Sequence, residues 1–172
     1  MKSSYIGGVQ ESQRIDHLLG QWADERPDVD TGSMALVTRL QRVVQLIDLR
    51  LDALAAEYGV HRSEGDVLFA LRRAGAPYRL SPSRLAESLL VTTGTMTNRL
   101  DRLEKRGYIR RIPNPEDRRG ILVELTDVAR ELTDTALEQH VGNQREMLAV
   151  LSVADRRELT RLLNTLIDHL GA

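Results

Sequence analysis

The sequence predicts a mostly α-helical chain carrying one small β-hairpin, and three observations support that reading. Apolar residues recur at helical spacing over most of the 172 positions, one central stretch alternates apolar and polar residues as a half-buried strand does, and aromatic residues are scarce at 3%. A core drawn from Leu, Ala and other aliphatic side chains suits packed helices. Apolar residues make up 41% and charged residues 28%, the balance of one globular domain or of a subunit that completes its core with a partner. The chain has no Cys, so disulfides, zinc-thiolate sites and Fe–S clusters are out of reach. No apolar run approaches the roughly 18 to 20 residues of a membrane span, and a cytoplasmic protein without membrane contact is expected.

Residues 1–11 are Gly/Ser-rich and nonperiodic and read as a flexible tail. From Ser12 as N-cap, Ile15, Leu18, Leu19 and Trp22 form the stripe of an added N-terminal helix over 12–26, stopped before Pro27. Leu36, Leu40, Val43, Val44, Ile47, Leu51 and Leu54 then hold helical spacing over 33–58. Ser63-Glu64-Gly65-Asp66 opens a third helix through Val67, Leu68 and Leu71, and Gly75-Ala76-Pro77 breaks it. Ser81-Pro82-Ser83 starts a short helix with proline in its first turn. Thr92 or Thr93 caps the next, whose inward face is Met96, Leu100 and Leu103 and whose stop is Gly107. Two short helices about a tight turn make a helix-turn-helix. Tyr108 to Ile112 follows as a strand, Pro113 to Arg119 as a charged tip, and Ile121, Val123 and Leu125 alternate on the return strand, a wing. Thr126-Asp127 opens another helix past Leu137, and Ser152 begins the last, with Leu159, Leu162, Leu163, Leu166, Ile167 and Leu170 on one face. The predicted architecture is a winged helix-turn-helix over 60–125, flanked by helices at 33–58 and 126–172. The outer stripes are wider than one small domain can cover, so the flanking helices form a dimerisation region.

Net charge is -1, yet its distribution is uneven. Between Arg79 and Arg130 there are 11 Lys+Arg against 7 Asp+Glu, a local balance of +4 that leaves the remainder acidic. Charges act on phosphate within about 10 Å in ordinary salt, so the local excess matters more than the total.

Three blocks carry a family resemblance: Ser83-Arg84-Leu85-Ala86-Glu87, the run from Thr95-Met96-Thr97-Asn98-Arg99-Leu100 through Asp101-Arg102-Leu103-Glu104-Lys105-Arg106-Gly107-Tyr108-Ile109-Arg110-Arg111, and Asp117-Arg118-Arg119 with Leu125-Thr126 beyond. Over about residues 33–170 the chain resembles the MarR family of winged-helix transcription factors. Many members carry Gly three residues beyond Leu-Thr where this chain has Ala129, a departure that bears on the local turn. The resemblance implies a homodimeric regulator, a repressor, on double-stranded DNA with pseudopalindromic half-sites. In such a helix-turn-helix the second helix enters the major groove. Thr92, Thr93, Thr95 and Asn98 offer short hydroxyl and amide groups to bases and phosphates. Arg118 and Arg119 at the wing tip suit a minor groove or phosphate, Asp117 braces the hairpin by pairing with an arginine, and Arg84 is a further phosphate contact.

The added first helix resembles the urate-responsive subfamily, whose ligand residues are a Trp on that helix, an Asp before the helix-turn-helix, an Arg in the recognition helix and an Arg at the base of the wing. By motif these roles fall on Trp22, Asp66, Arg99 and Arg111. A flat anionic purine such as urate suits an indole to stack on and a guanidinium to pair with, and Asp66 is expected to pair with Arg99 in the free protein. A small polycarboxylate such as aconitate suits the arginines and uses the indole less.

No His-Glu-x-x-His, phosphate-cradling glycine loop or Ser/His/Asp ordering is present, and His17, His61, His140 and His169 are scattered. An enzyme is therefore not expected, nor a metal site or cofactor. A helical protein-interaction module without DNA binding is the alternative, and it predicts salt-insensitive behaviour where a DNA-binding regulator loses affinity steeply with salt.

Overall fold

The computed structural model describes residues 11–117 and 120–171. Its elements run α1 (Glu11–Glu25), α2 (Gly32–Glu57), α3 (Arg62–Arg73), β1 (Arg79–Leu80), α4 (Pro82–Ser88), α5 (Thr93–Lys105), β2 (Ile109–Pro113), β3 (Ile121–Leu125), α6 (Asp127–Met147) and α7 (Val153–Leu170). The predicted class, mostly α with a small β-wing, is the observed one. The chain divides into two units between Arg50 and Leu51, within α2.

In the first unit, α1 lies antiparallel to the early turns of α2. Arg42 grips Glu11 through Nη2 at 2.9 Å and Nε at 3.1 Å, and Arg39 pairs with Asp16. Exposed pairs of this kind each contribute at most about 1 kcal/mol, so they set register more than stability. Ile15 is the residue of α1 that is buried. Ser12 does not cap this helix, because Glu11 is already helical, and the expected tail therefore excludes residue 11.

The second unit holds the core, where Leu71, Leu85, Met96, Leu100, Leu103 and Val123 are almost completely buried. Each such aliphatic side chain contributes roughly 1.5 to 3 kcal/mol by leaving water. Four helix starts use hydroxyl caps: Ser81 accepts from Arg84 N–H at 3.2 Å, Thr92 from Thr95 N–H at 3.3 Å, Thr126 from Ala129 N–H at 3.3 Å and Ser152 from Asp155 N–H at 3.1 Å. The start of α3 differs from the expected Ser63-Glu64 opening. His61 is the cap, its Nδ1 accepting from Ser63 N–H while His61 N–H donates to Glu64 Oε2, both at 3.2 Å. At the end of α5, Tyr108 N–H reaches Leu103 O and Gly107 N–H reaches Glu104 O, which requires the left-handed φ of 73° at Gly107. That closure occupies Tyr108, so β2 begins at Ile109, one residue later than the alternation predicts.

The sheet order is β1-β3-β2, all antiparallel. The two-residue β1 is too short for any sequence pattern to announce. It makes β3 a central strand, and Glu124, on the face opposite to the expected inward set, is buried rather than solvent-facing. Ala129 is fully buried at the start of α6, its methyl group packed into the core. By contrast α7 buries no residue, and Leu162, Ile167 and Leu170 are exposed. Among the described residues, no helix is long and apolar enough to cross a membrane.

Candidate nucleic-acid interface

The turn between α4 and α5 is closed by Leu90 N–H to Glu87 O and Val91 N–H to Ala86 O, with Leu90 at φ 52°. This closure leads α4 into α5 and leaves the first turns of α5 outward. Thr92, Thr93, Thr95, Thr97 and Asn98 are exposed, whereas Met96 and Leu100 are buried beneath them. The hydroxyls are partly committed: Thr92 donates to Thr95 Oγ1 at 2.9 Å, and Thr97 donates to Thr93 O at 3.0 Å. A small polar surface of this kind admits close approach to a groove floor. Arg84 is exposed and lies 3.5 Å from the equally exposed Glu87, a solvated pair that leaves its guanidinium accessible.

The wing is anchored by Glu124. Its register partners are Arg79 on β1 and Arg110 on β2, and both guanidiniums hold its carboxylate, Arg79 at 2.6 Å. The bond from Arg110 above all, with Arg79, keeps this carboxyl below its usual pKa despite burial. At the tip, Asn114 N–H donates to Gly120 O at 3.0 Å and Gly120 N–H to Asp117 O at 2.9 Å. Arg118 and Arg119 lie outside the described residues. Asp117 is engaged there, and its carboxylate lies beside Gly120, where a Cβ would meet it at 3.0 Å.

Of the four residues assigned to a ligand, two come under one another's influence. Asp66 lines a cavity of about 250 Å³ between the last turns of α2, α3 and α6, with Tyr58, Arg62, Phe69 and His140 among its walls. Burial pushes the Asp66 carboxyl up, against the pull of Arg62, Arg99, His140 and His61. Arg99 thus acts on Asp66 through space, but among the described residues no ion pair within 4.0 Å joins them, so the expected direct pairing is corrected to a longer-range attraction. Arg111 is committed elsewhere, to Asp101 at 2.6 Å and to Glu104 of α5. Trp22, about half exposed, lines a separate hollow of the first unit with Leu18, Leu19 and Met34. Among the described residues the Tyr58 hydroxyl is buried without a hydrogen-bond partner, a polar feature of the cavity that the apolar periodicity around it concealed.

Sequence reasoning also missed Glu64. Its side chain is 2% exposed and meets Arg102 Nε at 2.6 Å and Arg106 at 3.7 Å. Burial pushes this carboxyl up, but Arg102, the His61 amide and Arg106 together bring it below the ordinary value. The capping-box spacing from His61 was the available signal.

A helix-turn-helix with polar leading turns, beside an antiparallel wing and within a locally basic segment, defines a winged helix-turn-helix DNA-binding protein. The sequence profile of the MarR family matches residues 58–120. The chain is 40% identical over 156 residues to the HTH-type transcriptional regulator PecS of Dickeya dadantii, covering 91% of this chain and 94% of that relative. It therefore belongs to the MarR family of transcriptional regulators. Its structure resembles mutant MarR from E. coli complexed with operator DNA, with a TM-score of 0.69, 29% identity and coverage of 81% of this chain and 99% of that one. It also resembles AbsC, a MarR family regulator from Streptomyces coelicolor, with a TM-score of 0.71, 25% identity and coverage of 83% and 96%.

Proposed function

We propose that the chain is a homodimeric repressor that binds a pseudopalindromic operator and leaves it when a small anionic effector binds. The carrying observation is the division of α5, with Thr92, Thr93, Thr95 and Asn98 outward over the buried Met96 and Leu100. Those four face the major groove, Arg84 meets phosphate, and Arg118 and Arg119 reach the minor groove from a hairpin that Asp117 braces. The exposed apolar face of α7, including Leu162 and Ile167, supports a second copy as partner. The test is retention of genomic fragments at rising salt, followed by titration of a recovered fragment in fluorescence anisotropy. The reading requires steep salt dependence and weaker binding with Arg118→Ala and Arg119→Ala. Binding that ignores salt and both substitutions would favour the protein-interaction alternative.

For the effector, the reading is a planar purine anion such as urate, held by Trp22, Asp66, Arg99 and Arg111. What supports it is the cavity beside Asp66 and a carboxyl that a nearby anion would disfavour further. An anion at Arg111 also has to displace Asp101 and Glu104, which couples occupancy to α5. A tenfold release of DNA needs a preference of about 1.4 kcal/mol for the displaced state. Urate, xanthine and aconitate are titrated into the protein–DNA complex, then again with Trp22→Ala and Asp66→Asn. Urate is expected to release the wild type at lower concentration than aconitate; equal responses in wild type and both variants would reject this site.

A further inference from the structure

A recognition helix reads a groove with one face, so its roll about its own axis decides which side chains meet the bases. The buried stripe Met96, Leu100 and Leu103 chooses the inward side of α5, but apolar contact is non-directional and tolerates rotation. Two charged side chains from neighbouring elements supply direction. Glu64 of α3 takes Arg102 and Arg106, and Arg111 of β2 takes Asp101 and Glu104, its own N–H also donating to Glu104 Oε1 at 3.1 Å. At 3.6 residues per turn, 102 and 106 lie on one flank of the stripe and 101 and 104 on the other. All four follow the Thr92–Asn98 turns that face outward. The grips are opposite in sign, an anion pulling one flank and a cation the other.

We infer that Glu64 and Arg111 are positioning residues for DNA recognition, fixing the roll of α5 from both flanks without touching DNA. The inference rests on the DNA-binding reading. Glu64 is too deeply buried to reach a phosphate and carries the wrong charge to bind one. A buried ion pair often stabilises no more than an apolar replacement, so what distinguishes these grips is direction. Arg111 forks onto two carboxylates, a geometry that a lysine ammonium does not reproduce.

The experiment compares wild type, E64Q, R111Q and R111K for affinity to the recovered operator fragment and to random duplex over a salt series, with thermal midpoints. Glu64→Gln keeps an oxygen for the His61 amide while removing the charge. E64Q and R111Q are each expected to lose at least tenfold in operator affinity and less on random DNA, with the salt slope unchanged; R111K falls between. A lowered midpoint with an unchanged operator-to-random ratio overturns the inference, leaving the grips structural only. Equal loss on both duplexes with a shallower salt slope in R111Q overturns it too, by making Arg111 a phosphate contact, as does equally tighter binding with a steeper slope in E64Q, by making the released arginines phosphate contacts. Should E64Q fail to fold, R111K carries the test, since Arg111 is partly exposed and its charge is kept. A wild type that retains no DNA sinks the DNA-binding reading itself, an outcome distinct from wild-type binding with indifferent variants.

Discussion

The segment from α3 to β3 and the final helix α7 are built from similar aliphatic residues and end in opposite conditions. In the first, Leu71, Leu100 and Leu103 are almost wholly enclosed; in the second, Leu159, Leu163 and Leu166 keep more than a third of their surface in water and no residue is buried. An apolar stripe becomes core only if other elements of the same chain arrive on it, and here the sheet, α3 and α4 arrive on α5. The stripe of α7 is left exposed to water, and covering it is the physical content of the proposed dimer.

Substitutions can break that contrast. Leu100→Ala should cost about 2 to 5 kcal/mol of unfolding free energy at any protein concentration, because it empties a closed site; urea denaturation measures it, and a loss under about 1 kcal/mol would show that the segment is loosely packed. Joining Leu163→Asp with Leu166→Asp should instead leave helicity largely intact and weaken self-association by about two orders of magnitude or more, roughly 2.7 kcal/mol. Sedimentation equilibrium reads this directly, and unchanged association would place the subunit contact elsewhere.

The buried charges sharpen the comparison through pH. Glu64 and Glu124 have lowered carboxyl pKa values in the folded chain, so their stabilisation is complete above the unfolded glutamate value of about 4.3 and is lost as pH falls through the folded values. Thermal midpoints should therefore drop on acidification below about pH 5, and less steeply in Glu124→Gln. Asp66 has the opposite sign. Its raised value means that the ionised form is disfavoured by folding, so Asp66→Asn should stabilise the neutral-pH protein. That gain should fade as pH falls through the raised folded value and be gone below the unfolded aspartate value of about 3.9. A destabilised Asp66→Asn at pH 7 would show that the carboxylate holds a compensating partner.

The smallest expected effect lies in the turn of the helix-turn-helix. Leu90 sits at φ 52° and is 94% exposed, a conformation that costs a non-glycine residue roughly 1 to 2 kcal/mol. Leu90→Gly relieves that cost but adds freedom to the unfolded chain, so a net gain of at most about 1 kcal/mol is expected from calorimetry. A clear loss would mean that the leucine side chain contributes at this site.

Much of the molecule was legible because its signals are local. Caps at Ser81, Thr92, Thr126 and Ser152, the stop at Gly107 and the 3.6-residue stripes each depend on a handful of neighbouring residues, and each marks an element that exists. The failures are local as well. Ser12 has the right chemistry for a cap but lies inside a helix, while His61, an infrequent cap, starts α3. The threonine-fronted face of α5 could be read from spacing, since its buried positions define its exposed ones.

By itself the sequence determined the order of helices and the wing, the apolar faces and the polar leading turns of α5, because backbone hydrogen bonding and side-chain periodicity act over a few residues. Only the tertiary structure decided which charges meet. Arg102 lies 38 positions from Glu64, and Arg79 lies 45 from Glu124; nothing in either neighbourhood favours one arginine of this arginine-rich chain over another. Packing of α3 against α5 and pairing of β1 with β3 made those choices, because a buried carboxylate must find whichever guanidinium the assembled elements bring within reach.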